Sequence, residues 1–330
     1  MSNNGWRRVA WVRKFPGPSW TGQLSVDWRG RGNRVSAERI SDMTDVVAPS
    51  FASAHEDVLF DVPYCSAAPF HEFYGKGPPP RRLGRGCAWQ SFEAARLVQE
   101  RTGVKATLLF SGRHVAAVYP RADDLVVLDP YLLHREPVVL SRAAAVEGVV
   151  TAAGDAFPFR TGAGGEPRPS RLRLTWTVAS GVLHSEYSRF SPRLGRYVTF
   201  RAFTFRPGAT LPFFPPPRGL VRRLILHSEQ NNVSIRCVDR GSGRLRELVL
   251  PLSGRPREWL VDRRSLITRD NQGAVGRGGT EEFRRDLAGI CACVGSDPEE
   301  LIGYVLGAAQ LYAATAPEDL VVAEYRVEDE

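Results

Sequence analysis

Residues 84–103, GRGCAWQSFEAARLVQERTG, constrain this chain more than any other stretch. Ala88, Phe92, Ala95 and Val98 recur at helical spacing, and Gly103 suits the position just past a helix end. The spacing predicts a helix over about 88–102 with Cys87 at or just before its first turn. Free backbone N–H groups and the helix dipole favour an anion there, so a thiol is stabilised as thiolate. Gly84 and Gly86 permit a tight turn and a close backbone approach by a substrate.

The residues after the helix supply that thiol with partners. VKATLLFS alternates as a strand over about 104–111. The helix travels roughly 24 Å one way at ~1.5 Å per residue, and the strand roughly 26 Å back at ~3.3 Å per residue. The next residues, Ser111-Gly112-Arg113-His114, therefore return to the level of Cys87. HVAAVYPRADDLVVLDP then reads as a hairpin over about 113–129, turning at PRAD. With Tyr119 opposite Asp124, the register sets His114 against Asp129 on one face, whereas a one-residue slip would part them. Taken singly, each residue has an ordinary explanation: an inert buried cysteine, a polar strand histidine, a common strand ending. Together they make a nucleophile, a base and an orienting carboxylate. Cys87, His114 and Asp129 are the candidate catalytic residues.

The rest of the chain narrows the context. Its 330 residues carry 43% hydrophobic and 24% charged positions, an ordinary globular balance with room for a large core. The net charge of +8 comes from scattered arginines, with Lys14, Lys76 and Lys105 the only lysines. That pattern argues against a nucleic-acid surface and fits an acidic protein partner. MSNNGWRRVAWVRKF lacks a signal-type apolar segment and no stretch reaches membrane-spanning length, so a cytoplasmic protein without a membrane partner is expected. Five cysteines at uneven spacing give no disulfide framework, and Cys291 and Cys293 read as small helix residues rather than metal ligands, so no metal is expected.

The order of elements predicts an α+β chain. Residues 1–83, including EDVLFDVPY, read as strand and loop, and 153–170, AGDAFPFRTGAGGEPRPS, as a Gly/Pro-rich linker or exposed loop. RLRLTWTVAS, RYVTFRAFTF and LVRRLILHS read as strands, and NVSIRCVD and RLRELVLPL as a hairpin about RGSG. GTEEFRRDLAGICACVG and SDPEELIGYVLGAAQLYAATAP read as helices, the second with Asp297 at its N-cap, Pro298 next and Glu300 in a capping box. We therefore expect a catalytic core over 1–152, an antiparallel β-rich region over 171–262 and a helical portion over 263–330.

RGC opening a helix, RH opening a hairpin and VVLDP closing it resemble the Cys-His-Asp core of transglutaminase-like proteins and arylamine N-acetyltransferases. HREPVVLS is similar to the segment that follows the aspartate in the acetyltransferases. The likeness covers about residues 50–145. RGCAWQS departs from the acetyltransferase spacing before and after the cysteine, and the Cys-to-His interval of 27 residues is compact. The chain more closely resembles Dieckmann cyclases, cysteine enzymes of this superfamily that release polyketide–amino acid chains from carrier proteins as tetramic acids or related rings. The resemblance implies a papain/transglutaminase-like helix-plus-antiparallel-sheet core and a lid-like helical C-terminus. It implies Cys87 as acyl acceptor from phosphopantetheine, His114 as the base for the thiol and then for the carbon between two carbonyls, and Asp129 as its orienter. An acyl or peptidyl carrier protein is then the partner, with no bound cofactor.

One oxyanion-hole donor is the Cys87 N–H; PPPRRLGRG holds no glutamine of the papain type, leaving the second unidentified. Arg81, Arg82 and Arg85 suit a phosphopantetheine phosphate or an acidic carrier, or simply form a solvated loop. Trp89 walls the pocket or packs in the core. RGLVRRLILHS and LIGYVLGAAQLY either line an acyl channel or pack as core, and His71 is a spare site residue or a loop histidine. The rival readings are an N-acetyltransferase-like acyltransferase or amide synthase, a transglutaminase-like protease, and a scaffold with an idle triad.

Overall fold

The computed structural model describes residues 37–325 apart from 76, 78–79, 212–217, 254–259 and 261. The strand-and-loop reading of residues 1–36 lies outside them. The described chain is α+β, with three antiparallel sheets and six helices.

The order begins with α1 (Ala37–Asp61), β1 (Tyr64–Cys65) and α2 (Ala68–Tyr74), then α3 (Cys87–Thr102), whose C-cap Gly103 is left-handed at φ 73°. The site sheet comes next, as β2 (Thr107–Ser111), β3 (His114–Pro120), β4 (Asp124–Leu128) and β5 (Val138–Ser141), hydrogen-bonded in that order. A second sheet is a meander of β6 (Val149–Thr161), β7 (Pro167–Thr177), β8 (Val182–Ser191) and β9 (Arg196–Phe205). After α4 (Arg218–Ile225) come β10 (Asn232–Val238), β11 (Leu245–Pro251), β12 (Ile267–Arg269) and β13 (Val275–Arg277), then α5 (Glu281–Val294) and α6 (Pro298–Thr315). The third sheet runs β1-β10-β11-β12-β13, so strands from all three expected portions of the chain share it.

The site sheet is covered on both faces, which is why β3 is buried along nearly its whole length. Ala117 and Tyr119 pack with Val126 and Leu128 against Ala54 and Val58 of α1 and Ala94 and Val98 of α3. Ala116 and Val118 pack with Leu125 and Val127 against Leu172, Leu174 and Phe205 of the second sheet. The period-2 alternation thus sends His114, in phase with Ala116 and Val118, toward the second sheet. Helices α5 and α6 cover the third sheet through Ile290, Leu301 and Val305, all within one core with Ile235 and Leu248.

Several elements differ from expectation. EDVLFD belongs to α1, because Phe51, Ala54, His55, Val58 and Val62 form a buried stripe at helical spacing. Residues 153–170 are the β6–β7 hairpin. Pro158 sits in the edge strand at a register shift between Ala156 and Phe159, where a missing N–H is tolerated. LVRRLI is helical in α4, and the expected helical portion includes β12 and β13. The hairpin about RGSG forms as read, with Asp239 N–H bonded to the Arg244 carbonyl. Asp297 caps α6 by accepting from Glu300 N–H at 2.9 Å, while the Glu300 carboxylate turns to Ser296 and Arg82, leaving half a capping box. Among the described residues, no helix is long and apolar enough to cross a membrane.

Candidate active site

Cys87 is the first residue of α3, with Gly86 as N-cap. The turn before it is locked by β1: Arg85 N–H donates to Pro63 O at 2.9 Å, and Cys65 N–H to Arg85 O at 2.8 Å. Gly84 makes this possible. Its φ is 89°, and a Cβ there would stand 2.1 Å from the Pro63 carbonyl oxygen. At Gly84 the close approach is by the Pro63 carbonyl, and at Gly86 by the Pro69 ring. Gly84→Ala is expected to cost about 2–3 kcal/mol of unfolding free energy, measured by urea denaturation, since it adds backbone strain and a clash. Farther along, Ser91 Oγ donates to Val115 O at 2.6 Å and Gln90 Nε2 to Val62 O at 2.7 Å, fixing the helix against β3 and the end of α1.

His114 is fully buried, and its Nε2 lies 2.6 Å from Asp129 Oδ2. The pairing is not the expected one. Ala117 stands opposite Leu128 and Tyr119 opposite Val126, a shift of two residues. An even shift keeps the face, so Asp129 is the diagonal neighbour of His114, within reach of an imidazole. With Nε2 committed to the carboxylate, Nδ1 has no protein hydrogen-bond partner of the ordinary N or O kind. Cys87 acts on the imidazole as a whole, and its Sγ lies 3.7 Å from Arg113 O. Burial opposes the Cys87 thiolate, but the imidazole and Arg113 outweigh it and hold the thiol below its ordinary value. Burial likewise opposes the imidazolium, but the Asp129 charge and hydrogen bond, with Cys87, raise His114 to about 10. The structure thus brings the Cys87 thiol, the His114 imidazole and the Asp129 carboxylate together, in a setting that favours the thiolate over an ordinary cysteine.

A second histidine pair stands behind Asp129. His134 Nδ1–H donates to Glu136 O at 2.6 Å, leaving Nε2 to accept from Asp129 N–H at 3.0 Å. His55 packs on it with ring centres 4.0 Å apart and planes tilted by 35°, and donates from Nε2 to His134 O at 2.7 Å. Burial lowers His55 to about 4 and His134 well below its ordinary value, so both stay neutral and the His134 tautomer is fixed. His134 holds the Asp129 main chain in place and lies in the sequence within HREPVVLS.

Cys87 opens on a cavity of about 520 Å³ walled by Tyr64, Arg113, His114, Tyr131, Arg201 and Arg236, among others. Arg201 Nε donates to Tyr131 Oη at 3.2 Å, and the Arg236 guanidinium lies 4.7 Å from the Tyr131 ring centre and donates to the Tyr131 carbonyl. Arg236 Nε is buried without a protein partner. Phe203 stacks on His114 at 4.2 Å, closing the imidazole from above. In the same wall Glu247 stands opposite Arg236 and Arg269 in register and 3.0 Å from Arg189. Burial opposes the Glu247 charge, yet Arg189, Arg236 and Arg269 hold it down at about 2. The lining carries Arg113, Arg201 and Arg236 against Glu229 and Glu247, a positive balance suited to an anionic group. Sequence reading passed over these residues. The alternation of NVSIRCV puts Arg236 with Ser234 on the polar side, opposite Val233, Ile235 and Cys237, yet β10 is buried on both faces, so the pattern carried no signal for it.

A smaller apolar crevice on the other side of Cys87 is lined by Trp89, Pro69, Val221, Leu224 and Ile225. Trp89 therefore does border the nucleophile while packing edge-on to Phe73 and Phe92. Arg81 pairs with Glu93 and Arg82 with Glu300, both at the surface, and Arg85 Nη1 bonds Gly84 O; none of the three lines the Cys87 cavity. His71 belongs to α2, where Nε2 meets Tyr304 O at 2.8 Å and the ring stacks on Tyr304, away from that cavity. Cys291 and Cys293 lie in α5. Comparison with family models, curated proteins and solved structures finds no match to the chain.

Proposed function

We propose that this chain is a cysteine-dependent acyl-thioester cyclase, with a core of papain/transglutaminase-like type, that releases a carrier-bound β-ketoacyl-aminoacyl chain by Dieckmann ring closure. The observation that carries the reading is Cys87 at a helix N-terminus beside the His114–Asp129 couple, facing an arginine-lined cavity of about 520 Å³. Cys87 takes the acyl chain from a phosphopantetheine thioester, and His114, held by Asp129, protonates the departing thiolate. The Cys87 N–H at the start of α3 is the first donor to the tetrahedral oxyanion. The Tyr64 phenol, which lines the same cavity and which burial and Tyr131 keep protonated, is the available second. A carbanion within the same chain then attacks the Cys87 thioester, forming a carbon–carbon bond and expelling the sulfur. A tetramic acid or related ring leaves as an acidic product suited to a positive wall.

An acyl or peptidyl carrier protein in the cytoplasm is the corresponding partner. The exposed Arg81 and Arg82, beside the loop that presents Cys87, offer charge to its acidic face. The test is incubation with an N-(β-ketoacyl)aminoacyl pantetheine thioester, then intact-protein and product mass spectrometry. An adduct mapped to Cys87 and a ring-closed product support the reading. Hydrolysis or amide formation would move the protein to the acyltransferase class, and absence of any adduct would leave the triad idle.

A further inference from the structure

Ring closure needs a base for the carbon between two carbonyls, and His114 is badly placed to be that base. Its Nε2 is held by Asp129, its Nδ1 is buried, and Phe203 covers the ring. The attacking carbon must approach the thioester carbonyl from the cavity, where neither imidazole nitrogen is open.

Resting on the cyclase reading, we propose that Tyr131 is the base for ring closure and that Arg201, with Arg236, holds the enolate it creates. Tyr131 lies two residues beyond Asp129 in a 3-10 turn and lines the same cavity as Cys87. Its ring lies 4.9 Å from those of His114 and Tyr64. Its oxygen accepts from Arg201 Nε at 3.2 Å, a partner that stabilises phenolate. Burial alone would push the phenol up; Arg201 and Arg236 outweigh it and bring it below its ordinary value. Arg236 Nε, buried and unpartnered in the same wall, is a donor waiting for an oxyanion. The substrate class this selects is an acyl chain with an acidic methylene flanked by a ketone and an amide carbonyl, rather than a simple fatty acyl group.

The step balances. Tyr131 phenolate takes one proton from the methylene and becomes a phenol, while the electron pair spreads over the two flanking oxygens held by the guanidinium groups. The carbon attacks the Cys87 thioester, the C–C bond forms, the C–S bond breaks and the sulfur leaves as thiolate. His114 is neutral at this stage, having protonated the departing pantetheine thiolate. Exchange with solvent, which takes the Tyr131 phenol proton and returns one to His114, restores the starting charges.

The test is the same thioester with native protein, Tyr131→Phe and Arg201→Met, monitored by time-resolved intact mass. The Phe variant keeps the ring contacts with His114 and Tyr64. In Tyr131→Phe the acylated Cys87 species is expected to accumulate and ring closure to slow by about 100-fold, the low end for loss of a general base. A 3-acyltetramate anion, titrated by calorimetry, should bind Arg201→Met about 10-fold more weakly than native protein, roughly the worth of one charge-assisted hydrogen bond. Ring closure by Tyr131→Phe at the native rate without adduct build-up would overturn the assignment, as would undiminished tetramate binding by Arg201→Met. Native protein that forms no Cys87 adduct would overturn the cyclase reading itself, and this inference with it.

Discussion

Asp129→Asn is expected to lower kcat/KM for the thioester by about 10³–10⁴-fold while leaving the fold intact. The carboxylate does two things. Its charge, with its hydrogen bond at 2.6 Å, holds His114 as imidazolium in a site where burial opposes any charge. Its own charge opposes the Cys87 thiolate, but less than the His114 imidazolium it sustains favours it, so its net effect is to keep the thiol below its ordinary value. An amide has the shape and lacks the charge, so the imidazole falls from about 10 and the thiol rises. These shifts set the sign of the pH effect. Thiolate forms as pH rises through the lowered thiol value, and the imidazolium persists until pH nears 10, so native acylation should plateau between them. In Asp129→Asn the acid limb moves to higher pH and the alkaline limb to lower pH, narrowing the bell. Alkylation of Cys87 by iodoacetamide against pH reads the thiolate directly, without any assumption about substrate. An unmoved acid limb would mean that the couple does not control the sulfur.

That couple was legible in the sequence because it is local. A helix, a strand and a hairpin within residues 87–129 fix where three side chains meet, and the periods of helix and strand suffice to find them. Even a wrong register survived, since a shift of two residues returns each side chain to its own face. The cavity wall was not legible for the opposite reason. Arg201, Arg236 and Glu247 come from β9, β10 and β11, whose approach to β3 depends on long-range sheet packing. Composition misled where it mimicked a loop: the glycines and prolines of 153–170 mark one tight tip and an irregular edge strand, not a linker. LVRRLI and EDVLFD misled because short apolar runs fit both periods, and tertiary burial chose the helix.

Glu247→Gln is the change expected to cost most in stability, about 3–5 kcal/mol at pH 7, because it leaves buried guanidinium groups facing one another without their shared anion. Arg236 and Arg269 flank Glu247 in the ladder, and Arg189 reaches it at 3.0 Å from the second sheet, so one carboxylate ties two sheets together. Depressing a carboxyl from its usual range to about 2 corresponds to roughly 3 kcal/mol at 1.36 kcal/mol per pH unit, of the same order as the expected loss. A carboxyl with a lowered folded-state value contributes its stability fully above the unfolded value and loses it as pH falls toward 2. The gap between native protein and Glu247→Gln in urea denaturation should therefore be constant from pH 7 to about 5, shrink below that, and close near pH 2. A gap that stays level down to pH 2 would mean that the glutamine costs stability through packing alone, and that the positive wall beside Cys87 is held up by something other than Glu247.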